Sequence, residues 1–311
     1  MKILLLGANG QIGFELMRAM SVLGEVVPVT RDGFLQGGAS CREVDLASDT
    51  ALGMLLDSTQ PSLIVNAAAY TAVDRAEDEP ELARRVNGDA VGALGAWAAT
   101  HGVPVVHFST DYVFDGNHGR PWREDDATAP LGAYGSSKWL GEQALLQSGA
   151  QHLILRTAWI YAARGRNFLL SILRAAHGEG SIRVVDDQYG SPTPARVVAD
   201  ATTAIVARIA SRGHFREDVP WGTYHLTTAG QTTWHGFASA LLREALRARL
   251  IARMPDIQAI SSSAWQARAR RPGYSVLDCS RIQDAFALRL PSWQDGLASV
   301  ISEIVSCRAH A

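Results

Sequence analysis

The stretch KILLLGANGQIG, residues 2–13, decides the fold. After Lys2 comes an unbroken apolar run, Ile3 to Leu6, and KILLL reads as a strand covered on both faces. Gly7, Gly10 and Gly13 follow directly, and helix-like spacing resumes after them. Glycines in that place allow a tight turn and a close approach of backbone to a pyrophosphate. They also let helix pack on strand, with the first helical N–H groups facing the anion. Glycines at this spacing occur in many loops; their place between a first strand and a first helix is what gives them meaning. Gly7, Gly10, Gln11, Ile12 and Gly13 are therefore the candidate phosphate loop of a dinucleotide site.

Working outward, further apolar runs at 25–29, 62–68, 103–109 and 152–159 read as buried strands. Helical patterns at 11–23, 48–59, 80–101 and 132–148 lie between them, with Pro80 suited to a first helical turn. Strand alternating with helix predicts an α/β fold of Rossmann type, a doubly wound parallel sheet with right-handed crossovers. After about residue 160 the rhythm changes. Helices at 167–178, 196–211, 233–249 and 292–306 are separated by loops rich in Gly, Pro, Ser and Thr, with short strands at IRVVD and TYHLT. The expected organisation is a dinucleotide-binding domain over 1–160 and a smaller, mainly substrate-binding C-terminal domain over 161–311. Some later segments are expected to return to the first domain.

A hydrophobic content of 47% with 19% charged residues over 311 residues is that of a globular chain. The net charge of −2, with no basic stripe, argues against a nucleic-acid partner. No run approaches the ~18 apolar residues of a membrane span. Cys41, Cys279 and Cys307 make neither a metal spacing nor a disulfide framework, which points to a reducing, cytoplasmic compartment. No metal is expected.

NAD sites usually carry an acidic residue at the end of the second strand, on the ribose. Here VTRDG places Thr30 and Arg31 there, with Asp32 one position late. Arg31 suits a 2′-phosphate, so NADPH is favoured, with NADH as the alternative. Asp45 and Leu46 are candidates to flank the adenine. Ala67, Ala68 and Ala69, ending the fourth strand, give the small surface a nicotinamide ribose needs.

The fifth strand ends in STDYVFDG, which brings Ser109, Thr110 and Asp111 to the carboxyl edge of the sheet. Downstream, AYGSSKWLGEQ (133–143) sets Tyr134 and Lys138 four apart, on one face of a helix. A ketone reduction needs a general acid on the developing alkoxide. A tyrosine beside an ammonium can supply it, the charge favouring the phenolate. A strand-end threonine can hold the carbonyl. Thr110, Tyr134 and Lys138 are the candidate catalytic set, with Lys138 also on the cofactor ribose. His107, mid-strand, reads most simply as a satisfied core histidine.

GANGQIG, VNAAAYTAVDRAE, STDYVFDG, AYGSSKWLGE, RTAWIYA and DQYGSPT together resemble the extended short-chain dehydrogenase/reductase family, and the likeness runs through TTAGQTTWHGFA and RPGYSVLD. STDYVFDG and DQYGSPT are specific to a branch that reduces the C4 ketone of a dTDP-6-deoxy-hexulose. The resemblance implies NAD(P)H-dependent reduction of dTDP-4-dehydro-6-deoxy-L-mannose to dTDP-L-rhamnose. It makes Tyr134 the proton donor, Thr110 and Asp111 substrate contacts, and Trp159 a wall of the sugar pocket. One arginine of the cluster at 268, 270 and 271, taken as Arg271, would grip the substrate diphosphate. Nucleotide-sugar dehydratases of the family carry Asp-Glu after the threonine; here it is Asp111-Tyr112, which argues for reduction. A reductase or epimerase for another nucleotide sugar, or a non-catalytic regulatory subunit of the same fold, are the alternatives. The protein is expected as a monomer or homodimer. Some relatives bind Mg²⁺ between subunits through positions matching Glu15 and Glu303. The third position here is Arg196, a cation without an acceptor, which argues against such a dimer and leaves Glu15 and Arg196 free to pair by charge.

Overall fold

A computed structural model describes residues 1–211 and 214–309. Seven strands form the central sheet: β1 (Lys2–Leu6), β2 (Glu25–Thr30), β3 (Arg42–Glu43), β4 (Leu63–Asn66), β5 (Val105–Thr110), β6 (His152–Thr157) and β7 (Gly222–His225). Their order is β7-β6-β5-β4-β1-β2-β3, and every pairing is parallel. Strand order reverses beside β1, so a crevice opens at the carboxyl ends of β1 and β4.

Alternate residues of each strand enter two different cores. Ile3, Leu5, Leu63, Val65, Val106 and Leu153 pack on one face with Leu16 of α1 (Gln11–Ala19). Leu4, Leu6, Ile64, Val105 and Ile154 pack on the other, with Leu52 and Leu56 of α2 (Asp49–Thr59) and Leu94 of α3 (Ala90–His101). Burial on both faces is the physical reason these strands read as continuous apolar runs.

Two later segments belong with this sheet. TYHLT, expected among the short strands of the smaller unit, supplies β7 at the edge beside β6; Tyr224 and Leu226 fill the first core. Helix α5 (Ala195–Ile209) packs on the same face, its Val198 and Ile205 in that core. A third core gathers Leu169, Phe237, Leu241, Trp293 and Ile301 from helices beyond residue 160. The strand Ile182–Val185 pairs there in parallel with Ile257–Ile260.

Candidate active site

The phosphate loop closes as its glycines require. Gly7 has φ +81°, and a Cβ there would lie 2.6 Å from Ala68 N. A Cβ on Gly13 would lie 2.1 Å from the Gly7 carbonyl oxygen, so turn and helix touch through backbone. Gly10 caps α1 without any side-chain hydrogen bond, leaving first-turn N–H groups for a ligand. The loop edges a cleft of about 1110 Å³ along the carboxyl ends of the strands. Gly7, Gly10, Gln11 and Ile12 line it; Gly13 sits behind them. The cradle fits a dinucleotide pyrophosphate.

At one end of the cleft lie Arg31, Asp45 and Leu46. Asp32 is turned into its own loop: its Oδ1 accepts from Thr30 Oγ1 at 2.9 Å and from Phe34 N at 3.3 Å. Arg31 is exposed. Arg31→Ala is expected to raise KM for NADPH about tenfold while leaving KM for NADH within twofold, since only the former offers a phosphate for the guanidinium. Steady-state kinetics with both nucleotides checks this. Equal losses would remove Arg31 from that role.

Ala67, Ala68 and Ala69 line the middle of the cleft, and Thr110, Asp111, Tyr134 and Lys138 face it from the other side. Helix α4 (Ala133–Gln147) carries the tyrosine and lysine. Its first turn is tied down by Glu77, whose Oε1 accepts from Ala133 N at 2.9 Å. Its small residues are explained by close approach: a Cβ on Gly135 would lie 2.3 Å from Tyr112 O, and one on Gly141 2.1 Å from Asn87 O. Asn87 sits in a π-helical turn, Arg85–Asp89, and pins both sides of the cleft. It accepts from Tyr70 N at 2.8 Å and donates to Tyr70 O and Ser137 Oγ, both at 3.0 Å.

Electrostatics separate the three titratable groups. Burial pushes the Tyr134 phenol up to about 12, against a hydrogen bond with Thr110 that lowers it. Lys138 is buried and lowered to about 8; its Nζ donates to Phe108 O at 2.7 Å. The amine is turned onto β5, and burial is the largest influence on the phenol. Burial raises the Asp111 carboxyl to about 7, partly offset by the nearby hydroxyls of Ser275 and Thr110. Thr110 Oγ1 donates to Asp111 Oδ1 at 3.1 Å, while Oδ2 has no partner.

A carboxyl raised in the native state binds its proton more tightly there than in the unfolded chain. Stability is therefore lost as pH climbs from about 4, the unfolded value, to about 7, and the full penalty holds above that. Asp111→Asn is expected to raise the thermal midpoint by several degrees at pH 8 and much less at pH 4. Paired melting curves at the two pH values check this, and an equal gain at both would refute it.

Trp159 holds φ +49° at the cleft wall. Its indole stacks on Trp234 with centroids 3.5 Å apart and planes 4° from parallel. On Gly190, a Cβ would strike the Trp159 ring at 2.3 Å.

A family model described as the RmlD substrate binding domain matches residues 1–306. The chain belongs to this family. The dTDP-4-dehydrorhamnose reductase of Burkholderia thailandensis is 43% identical over 311 residues, covering 98% of this chain and 100% of the relative. The reductase of that name from Escherichia coli K12 is 40% identical over 309 residues, covering 99% and 100%. Among solved structures, dTDP-4-dehydrorhamnose reductase from Bacillus anthracis in complex with NADP gives a TM-score of 0.85 at 27% identity, over 97% of this chain and 99% of that one.

Within this RmlD-family chain, Arg196 occupies the centre of a charge cluster. Its Nε lies 3.3 Å from Glu15 Oε2 and a second nitrogen 3.0 Å from Glu303 Oε2. The guanidinium sits between the two carboxylates and pins the last helix to α1. Among the described residues no group of three His, Cys, Asp or Glu side chains could hold a metal, and no helix is long and apolar enough to cross a membrane.

Arg271 does not line the cleft; it donates to Asp74 Oδ2 at 2.8 Å. Sequence reasoning passed over Asn9, Tyr70, Arg75, Arg166 and Trp234, all on the cleft. The Arg-Gly-Arg-Asn run at 164–167, set between apolar stretches, was the signal for the fourth. Trp234, quoted within TTWHGFA, had no local signal.

Proposed function

We propose that the protein reduces the C4 ketone of dTDP-4-dehydro-6-deoxy-L-mannose to give dTDP-L-rhamnose, using NADPH, with NADH as the alternative. The observation that carries this reading is the meeting of Thr110, Tyr134 and Lys138 on a dinucleotide cleft, in a chain so similar along its length to reductases of that name. NADPH, when bound, supplies the hydride that reaches C4.

The residues then have separate tasks. The alkoxide forming at C4 needs a proton, and the Tyr134 phenol holds one at neutral pH. Thr110 orients the carbonyl oxygen. Lys138 holds the ribose and restores the phenol proton. Asp111 Oδ2, buried and without a partner, accepts from a sugar hydroxyl. Trp159 walls the sugar, and Arg271 belongs to the diphosphate end only if its pairing with Asp74 opens. Residues 1–160 are read as mainly dinucleotide-binding and 161–311 as mainly substrate-binding. The compartment in this reading is the cytoplasm, and the assembly a monomer or homodimer.

The test follows nicotinamide absorbance with purified protein and the keto-sugar generated in situ by a dehydratase and an epimerase. Oxidation of NADPH only with the sugar present supports the reading. Silence despite measured NADPH binding would move the assignment to another nucleotide sugar or to a regulatory subunit.

A further inference from the structure

His107 is fully buried within β5, and both of its ring nitrogens have partners. Nδ1 lies 3.1 Å from Asn66 Nδ2, and Nε2 lies 3.2 Å from Lys138 Nζ. A third group fixes the direction of the first contact. Ala68 N donates to Asn66 Oδ1 at 3.2 Å. A backbone N–H can only donate, so the amide oxygen faces Ala68 and the amide NH₂ faces the ring. His107 Nδ1 must therefore accept, which places the proton of the neutral imidazole on Nε2. That N–H points at Lys138 Nζ. An ammonium offers three donors and no acceptor, whereas a neutral amine has a lone pair to receive it.

We propose that His107, oriented by Asn66, is a positioning residue for Lys138: its Nε2–H opposes the ammonium form and keeps the amine ready to exchange a proton during turnover. This rests on the reading of Lys138 as the partner of Tyr134 in a reductase. The surroundings support it. Burial above all holds His107 well below its ordinary value, so the ring stays neutral. Burial also lowers Lys138. Glu142, one turn along α4, acts the other way, but Arg156 of β6 grips it through two hydrogen bonds of 2.9 and 2.7 Å. Tyr134 lies one turn before Lys138, on the cleft.

The test uses the full chain labelled with nitrogen-15 in histidine, the His107 resonances being those lost in His107→Leu. The expected spectrum has Nε2 protonated and Nδ1 accepting near neutral pH; a proton on Nδ1 overturns the proposal. The second readout is the pH dependence of kcat. In His107→Leu the basic limb is expected to move up by half a pH unit or more, about threefold in the ionisation ratio. Asn66→Asp, which draws the ring proton to Nδ1 and frees Nε2 to accept from the ammonium, should move it the same way. A limb that stays in place or moves down in a folded variant refutes the proposal. If His107→Leu does not fold, the wild-type spectrum and Asn66→Asp still decide. If wild type reduces no keto-sugar, the proposed function fails, while the spectrum judges the His107 proposal independently.

Discussion

Tyr134→Phe is expected to lower kcat by about a thousandfold, within the range a positioned general acid contributes. The change removes one oxygen and keeps the ring, so its packing survives, including the edge contact with Tyr112 at 5.9 Å between centroids. The phosphate loop, the Ala67–Ala69 surface and Lys138 are untouched, so NADPH should bind within about twofold of wild type. That split is the sharp part of the prediction. A uniform loss of binding energy would raise KM, whereas a group that acts on the developing alkoxide appears in kcat. Single-turnover kinetics with the keto-sugar, beside a direct NADPH titration, checks it. Retained turnover with weakened NADPH binding would reverse the assigned roles.

Gly13→Ala is the second large effect. A methyl group placed 2.1 Å from the Gly7 carbonyl oxygen cannot remain there. The turn has little freedom to retreat, because Gly7 N donates to Val29 O at 3.0 Å and Gly7 itself lies against Ala68. Helix α1 has little freedom either, because Leu16 is buried in the core with Val198 of α5. Overpacking of this kind costs about 1–3 kcal/mol, and the displaced N-terminus would no longer meet the pyrophosphate. The expected result is a lower thermal midpoint and a tenfold or greater rise in KM for NADPH. A stable variant with normal NADPH binding would show that the loop tolerates separation of turn and helix.

The fold was legible because its central strands are buried on both faces. Leu4 and Leu5 enter opposite cores, so both had to be apolar, and the run announced itself. The same reasoning found the phosphate loop, where geometry permits glycine and little else. Features set by distant contacts were not legible. TYHLT is too short to reveal its partner; only Ile154, Leu155 and Arg156 alongside place it in the sheet. The Trp234 stack on Trp159 joins positions far apart in sequence. The His107 contact with Lys138 spans 31 residues, from a strand to a helix. The burial of Tyr134 was not legible either: the four-residue spacing shows that Lys138 shares its helix face, not how deeply the phenol sits. Arg271 carried the right chemistry for a diphosphate, yet a neighbouring Asp74 takes it.

The two stacked indoles have an optical consequence. Indole planes 4° from parallel with centroids 3.5 Å apart overlap electronically, so the ultraviolet absorption and emission of the pair depend on the stack staying closed. Both rings border the cleft, so an occupant that tilts either one would change that emission without any label. The molecule thus carries an intrinsic spectroscopic gauge of occupancy in its cleft.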